Sequence, residues 1–325
     1  SEQDFSAIGG EGAVMAYMEG LISVVIPTRN RAALLGRALN SALRQTYSPL
    51  EVIVVSDGSE DETEDFMRKM EETHENVRFL SYFPGQGGNH ARNIGVQAAQ
   101  GQWIAFLDDD DEWHPDKLRL QMELAGTDEE MGLICTASTY VQDDTGRRQY
   151  FCPNAPYDAS LAILKEICVG STTSVMAKHA LLDACGLFDE EMPARQDYDM
   201  WVRLCQVTKV GVVKQSCVEY HNLAENNQIS WDYRRFVAAN DRLRKKYGAL
   251  RIQRIGPTAE RAVRAREALS VARKAFKAGR RDIVCVFARE SLKIRFSAEA
   301  IVCLLAAYLP AGLVSRVYMS LCWKK

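Results

Sequence analysis

Four short runs of β-branched and aromatic residues recur in the first third of the chain: LISVVIP (21–27), EVIVVS (51–56), VRFLSY (77–82) and QWIAFL (102–107). The first two runs are continuous in apolar character and read as buried strands, and the other two read as the third and fourth strands; together they indicate a sheet covered on both faces. Helical spacing fills the intervals. RAALLGRALNSALRQ (31–45) keeps its apolar residues on one face, with Thr28 and Asn30 as candidate caps. DGSEDET (57–63) is turn chemistry followed by an acidic helix start. FPGQGGNHARNIGVQAAQG (83–101) is a glycine-rich loop running into a helix. The order β-α-β-α-β-α-β predicts an α/β fold with a Rossmann-like, mostly parallel sheet flanked by helices.

Ligands of such sheets bind beyond the carboxyl ends of the strands. Three polar segments fall there: TRNR, SDGSED and DDDDEW. The last belongs to FLDDDDEW (106–113), four acidic residues directly after an apolar run. Asp108 and Asp110 flank Asp109 in a DxD arrangement. A hard divalent cation tolerates this crowding, because its charge offsets the mutual repulsion. An acidic run by itself is more often a solvated turn; the strand end and the convergence with Asp57 favour a cation site. Asp57, beside Gly58, suits either a hydrogen bond to a base or ribose or an Asx turn capping the next helix. The 85–95 loop is no Walker loop and does not match GxGxxG after the first strand. Arg92 within it suits a diphosphate contact or a surface salt bridge equally.

Beyond Trp113 the pattern changes. MGLICTASTYVQDDTGRRQYF (131–151) reads as a strand and hairpin, and QDYDMWVRLCQV (196–207) as a helix with Trp201 and Leu204 inward, followed by the strand VGVVK. From about residue 231 the chain is helical and basic, with a helical hairpin turning at Gly279. The domain expectation is a flexible leader at 1–20, a catalytic α/β domain at 21–230 and a C-terminal helical region at 231–325. The net charge of −3 argues against a nucleic-acid partner. Nine cysteines without a CxxC pair suggest reduced thiols in a cytosolic setting. Residues 1–20 carry no secretory signal pattern.

The assembled motifs SVVIPTRNR, EVIVVSDGSEDET, GGNHARNIGVQAAQGQWIAFLDDDDEW and RQDYDMWVRL resemble those of the family 2 inverting glycosyltransferases with the GT-A fold. The resemblance spans residues 21 to about 230. Ser56 and Gln196 depart from it, where the family often has Asp and Glu. It implies that Pro27, Thr28 and Asp57 line the nucleobase and ribose pocket. Asp108 would face the ribose and the metal shell, with Arg92 and Asp109 also on the donor. Asp110 would be the main ligand of Mn2+ or Mg2+, His221 a residue completing the metal or phosphate site, and Asp197 the general base.

The implied reaction moves a sugar from a nucleotide-sugar donor, UDP-linked by family habit, to a glycan or lipid-linked glycan acceptor of a bacterial surface polysaccharide. Two rivals stand beside it: a nucleotide-sugar-binding subunit without turnover, and a carboxylate-metal phosphotransferase. The latter usually carries its DxD after the first strand, whereas this DxD follows the fourth. Ile301, Leu304, Leu305, Tyr308, Leu309, Leu313, Val317 and Leu321 recur near helical spacing, with Arg316, Lys324 and Lys325 basic. An apolar stripe with basic flanks suits peripheral membrane contact by the C-terminal helices, at the inner face of the cell membrane. Packing on the catalytic domain is the alternative. The run is short of the roughly 20 residues that a spanning helix needs.

Overall fold

The computed structural model describes residues 17–142, 146–222 and 232–308. They form two compact units. The first takes residues 17–163, 167–191 and 196–222; the second takes 164–166, 192–195 and 232–308.

The first unit is built on β1 (Met18–Thr28), α1 (Ala32–Leu43), β2 (Leu50–Asp57), α2 (Thr63–Thr73), β3 (Val77–Tyr82), α3 (Gly88–Ala98) and β4 (Gly101–Phe106). β1 begins at Met18, inside the segment expected as a leader. β1 pairs in parallel with both β2 and β4, and β2 with β3, so the order 3-2-1-4 is that of a doubly wound sheet. Ile22, Val24 and Ile26 are fully buried on one face of β1, among Leu35 and Leu39 of α1 and Met67 of α2. Each such side chain contributes about 1.5–3 kcal/mol by burial. Val25 meets α3 on the opposite face. A β carbon on Gly95 would lie 2.3 Å from Val25 Cγ1, so only glycine lets this helix settle so close.

The second half of the unit comprises β5 (Glu112–Trp113), α4 (Lys117–Ala125), β6 (Met131–Gln142), β7 (Arg147–Phe151), the start of the single turn α5 (Ala162–Lys165), whose last two residues are counted with the second unit, β8 (Val175–Lys178), α6 (His179–Ala184), α7 (Gln196–Val207) and β9 (Lys209–Asn222). These strands make the sheet mixed. β8 runs antiparallel between β4 and β6, while β9 lies parallel to β6 and carries β5 on its far side. β9 has 14 residues and extends well past the expected VGVVK strand. Register shifts against β6 absorb its curvature and let pairing continue to Asn222.

The second unit is helical: α8 (Tyr233–Ile255), α9 (Pro257–Lys277), α10 (Arg281–Ile294) and α11 (Ala298–Ala306). Gly279, at φ +70°, makes the turn of the α9–α10 hairpin. Small residues close the hairpin: Ala272 and Ala275 are buried on α9 and Val284 and Ala288 on α10, and Ser291 donates to the Ala265 carbonyl at 2.8 Å. Glu267 receives the fully buried Arg251 at 3.2 Å and Arg195 at 3.5 Å. α11 buries Ala300 and Ala306 and leaves Leu305 60% exposed. Leu309 and the later residues of the C-terminal stripe lie outside the described residues. No described helix is long and apolar enough to cross a membrane.

Candidate active site

The loops after β1 and β2 lock together. Asn30 accepts the Glu60 amide at 2.7 Å, and its own amide donates to Ser59 Oγ at 3.0 Å. Asp61 accepts the Ala32 amide at 3.1 Å. α1 is therefore capped by a carboxylate from the neighbouring loop, and not by Thr28 or Asn30. Asn30 sits at φ +52° and faces the other loop. Thr28 is held elsewhere: its hydroxyl donates to Asp109 at 2.7 Å. Pro27 is buried in β1 opposite Val55.

Asp57 ends β2 and does not cap α2. Its carboxylate accepts the amides of Gln86 at 2.6 Å and Gly87 at 2.9 Å, and the Tyr82 hydroxyl at 2.8 Å. It shapes the glycine-rich loop that delivers α3. Gly58, at φ +67°, has no room for a side chain, because a β carbon there would stand 2.6 Å from the Gly85 nitrogen. Burial, then the Asp57 carboxylate, push the Tyr82 phenol above its ordinary range.

The acidic run emerges from β4, and its four members diverge. Asp108 is paired with Arg92 of α3 at 2.5 Å. Asp109 turns inward to Thr28 and accepts from Arg31 at 3.0 Å. Arg31 also reaches Asp110 at 3.1 Å, and Arg37 donates to the Asp110 carbonyl at 2.6 Å. Asp111 is fully buried and accepts the His221 amide at 3.2 Å. Arg31 stands at the start of α1, where the helix dipole disfavours a cation. The carboxylates compensate it.

Compensation of the carboxylates is incomplete. Burial raises the Asp109 carboxyl despite Arg31. Burial and the charges of Asp108 and Asp109 push Asp110 up to about 6. Burial, then Asp110 and Asp108, hold Asp111 well above the usual carboxylate range, and its buried Oδ2 has no hydrogen-bond partner among the described residues. Buried carboxylates crowded in this way suit a divalent cation, which Asp110 and Asp108 could hold.

Beyond Asp111 the sheet separates two sets of side chains. Thr139 of β6 pairs with Glu219 of β9, and Tyr140 with Tyr220. Strand alternation puts these pairs on opposite faces. His221 shares the face of Glu219 and Glu112, and the ligand atoms of all three lie within 4.8 Å of one another. Arg148 pairs with Glu219, and Arg44 reaches Glu112 at 3.2 Å. A groove of about 400 Å³ opens on this face between Glu112, Arg148, Ser216 and Glu219. The structure thus groups His221 with two glutamates, a set that sequence reading did not foresee.

On the opposite face the Tyr140 and Tyr220 rings lie 4.9 Å apart. Burial, then the charges of Asp111 and Asp197, push the Tyr140 phenol up to about 12. Asp197 lies in the first turn of α7, half-buried, and accepts the Tyr198 amide at 2.7 Å. Asp199, two residues on, is fully buried and bonded to Arg203 at 2.8 Å. It is occupied structurally. Arg31, Asp111, Tyr82, Tyr140 and Tyr220 escaped the sequence reading. Only Arg31 left a signal, a basic residue at a helix start.

The geometry can be set beside known proteins. Residues 23–182 match the family model described as Glycosyl transferase family 2. An uncharacterized glycosyltransferase of Rickettsia conorii is 30% identical over 221 residues, 65% of this chain and 36% of that protein. TuaG of Bacillus subtilis, named as a candidate teichuronic acid biosynthesis glycosyltransferase, is 29% identical over 66% of this chain and 84% of its own length. The chain spans less than two thirds of the length of the first relatives it matches. Among solved structures, S. aureus TarS 1-349 in complex with UDP-GlcNAc aligns with a TM-score of 0.58 at 17% identity, over 92% of this chain and 91% of that one. Mannosyltransferase PcManGT from Pyrobaculum calidifontis, in complex with GDP-Man and Mn2+, aligns with a TM-score of 0.53 at 18% identity, over 94% and 87%.

Proposed function

Because residues 23–182 belong to glycosyl transferase family 2 and the chain folds as the GT-A glycosyltransferases do, we propose that it is an inverting glycosyltransferase. It moves a sugar from a nucleotide-sugar, UDP-linked, to an acceptor hydroxyl in cell-surface polysaccharide synthesis. The observation that carries this reading is the convergence at one sheet edge. Asp57, Thr28 and the run 108–111 come together there with Arg31 and Arg92. The nucleotide-sugars named with TarS and PcManGT support the donor class, and the name of TuaG supports the product class.

In this reading Pro27, Thr28 and Asp57 wall the nucleoside pocket. Asp57 also holds the 85–87 backbone in place against the donor. Asp109 acts from behind, fixing Thr28 and Arg31. Arg31 and Arg92, paired with Asp110 and Asp108, offer guanidinium groups to the diphosphate. Asp110 and Asp108 would hold Mn2+ or Mg2+, which when bound would supply positive charge to offset that developing on the leaving diphosphate. His221 extends this polar edge with Glu112 and Glu219. Asp197 takes the proton of the acceptor hydroxyl as it attacks, since a hydroxyl alone is a poor nucleophile. A single displacement from the face opposite the leaving group inverts the anomeric centre.

Thermal shift with a panel of UDP-, GDP- and dTDP-sugars, with and without Mn2+, tests the reading. At least one nucleotide-sugar raises the melting temperature more with Mn2+ than without. In Asp110→Asn that increment disappears while the ligand-free melting temperature holds. An unchanged Mn2+ increment in the variant removes the cation assignment, and silence of the parent chain across the panel removes the transferase reading.

The same reading places the protein at the inner face of the cell membrane, where lipid-linked acceptors are met. Support comes from α11, which turns Leu305 outward and is followed by Tyr308, 65% exposed beside Arg289. Apolar side chains next to basic ones suit an anionic lipid surface.

A further inference from the structure

Three aromatic rings cross the sheet edge in a row. Tyr140 of β6 sits opposite Tyr220 of β9 with ring centres 4.9 Å apart. Phe151 of β7 pairs with Ser138 and lies diagonal to Tyr140, its ring 6.1 Å away and nearly perpendicular. Alternation puts all three on one face, the face away from Glu219 and His221.

The row has a direction. At its inner end Tyr220 precedes His221, whose amide donates to Asp111 at 3.2 Å. In the middle, burial and then the charges of Asp111 and Asp197 raise the Tyr140 phenol. At its outer end Phe151 is 44% exposed on the last residue of β7. The strip thus begins beside the carboxylate cluster and reaches solvent at Phe151.

We propose that the strip Phe151–Tyr140–Tyr220 is the acceptor subsite, and that its ligand is a pyranose ring of a glycan chain. This rests on the transferase reading and names the partner of that same site. A pyranose has one face lined with C–H bonds and a rim of hydroxyls. The negative face of an aromatic ring attracts those C–H groups, and a stack on Tyr140 or Phe151 leaves the rim free. A hydroxyl of that rim is then carried toward Asp197, while the outer ring receives the next sugar of the chain. A nucleobase is the other common aromatic-stacking ligand. The nucleoside walls are Pro27, Thr28 and Asp57 on β1 and β2, at the other part of the sheet.

Saturation-transfer NMR with cellotetraose, chitotetraose, maltotetraose and mannotetraose, in the presence of UDP and Mn2+, tests the assignment. Irradiating aromatic protons is expected to label the ring C–H protons of at least one oligosaccharide. Phe151→Ala, at an exposed position outside the core, is expected to weaken that binding about tenfold, or ~1.4 kcal/mol, and Phe151→Trp to restore it. The UDP affinity of both variants, followed by calorimetry, should equal that of the parent. Equal oligosaccharide affinity in the parent and Phe151→Ala overturns the proposal, as does the absence of labelling across all four sugars. Oligosaccharide binding by a parent chain that responds to no nucleotide-sugar would sink the transferase reading and leave the sugar strip standing.

Discussion

Lys117 opens α4 with its side chain fully buried. Its ammonium lies 3.9 Å over the Trp113 ring and donates to Gln121 Oε1 at 2.9 Å. Burial pulls its pKa from 10.5 down to about 7, against the opposing pull of Cys217 and Cys135. Between those two values the unfolded chain holds a proton that the folded chain does not. Stability therefore rises with pH through this window and is lowest below about pH 7. At about 1.4 kcal/mol per pH unit, the burden at neutral pH and below is about 5 kcal/mol. Lys117→Met keeps the stem and removes the charge. It also leaves Gln121 Oε1 unpaired, which costs about 1–3 kcal/mol. The variant is then more stable than the parent by ~3 kcal/mol near pH 6, equal to it near pH ~9, and less stable above. Urea denaturation across this range, followed by tryptophan fluorescence, measures the difference. Trp103, Trp113 and Trp201 are all buried in the sheet unit and report its unfolding. A stability difference that stays flat with pH refutes the argument, since Lys117 would then keep its proton in the fold.

Further outcomes are expected at other sites. Gly95→Ala forces a β carbon against Val25 Cγ1 and should cost about 1–3 kcal/mol in urea midpoint terms; an unaltered midpoint would mean that α3 can retreat freely. Asp197→Asn should keep nucleotide-sugar binding but slow transfer by at least ~10²-fold, and near-normal turnover would move the base elsewhere. Asp199→Asn breaks the buried pair with Arg203 and should lower stability by about 3–5 kcal/mol, so melting temperature separates the two aspartates. The full chain should float with anionic liposomes while a chain ending at Phe296 stays behind. Retention of the full chain in the soluble fraction with anionic and neutral lipid alike ends the membrane assignment.

The sequence by itself determined the sheet's first half. The short, β-branched Val and Ile runs of β1 and β2 read as buried strands, and the spacing of all four runs leaves room for one helix between each pair. It also determined that acidic residues end β4, because DDDDEW cannot continue an apolar strand. What each carboxylate does was not legible, because its role is set by partners far along the chain. Asp109 turns inward to Thr28, 81 residues away, and Asp111 is tied to the backbone of His221, 110 residues away. Local periodicity carries no information at such separations. The same limit hid the cap of α1, which comes from Asp61 of another loop. It also hid the aromatic row, since Phe151, Tyr140 and Tyr220 become neighbours only when β9 lies parallel to β6 and β7 folds back upon it. Residue type fixed which groups could carry charge or stack; strand register decided which of them meet.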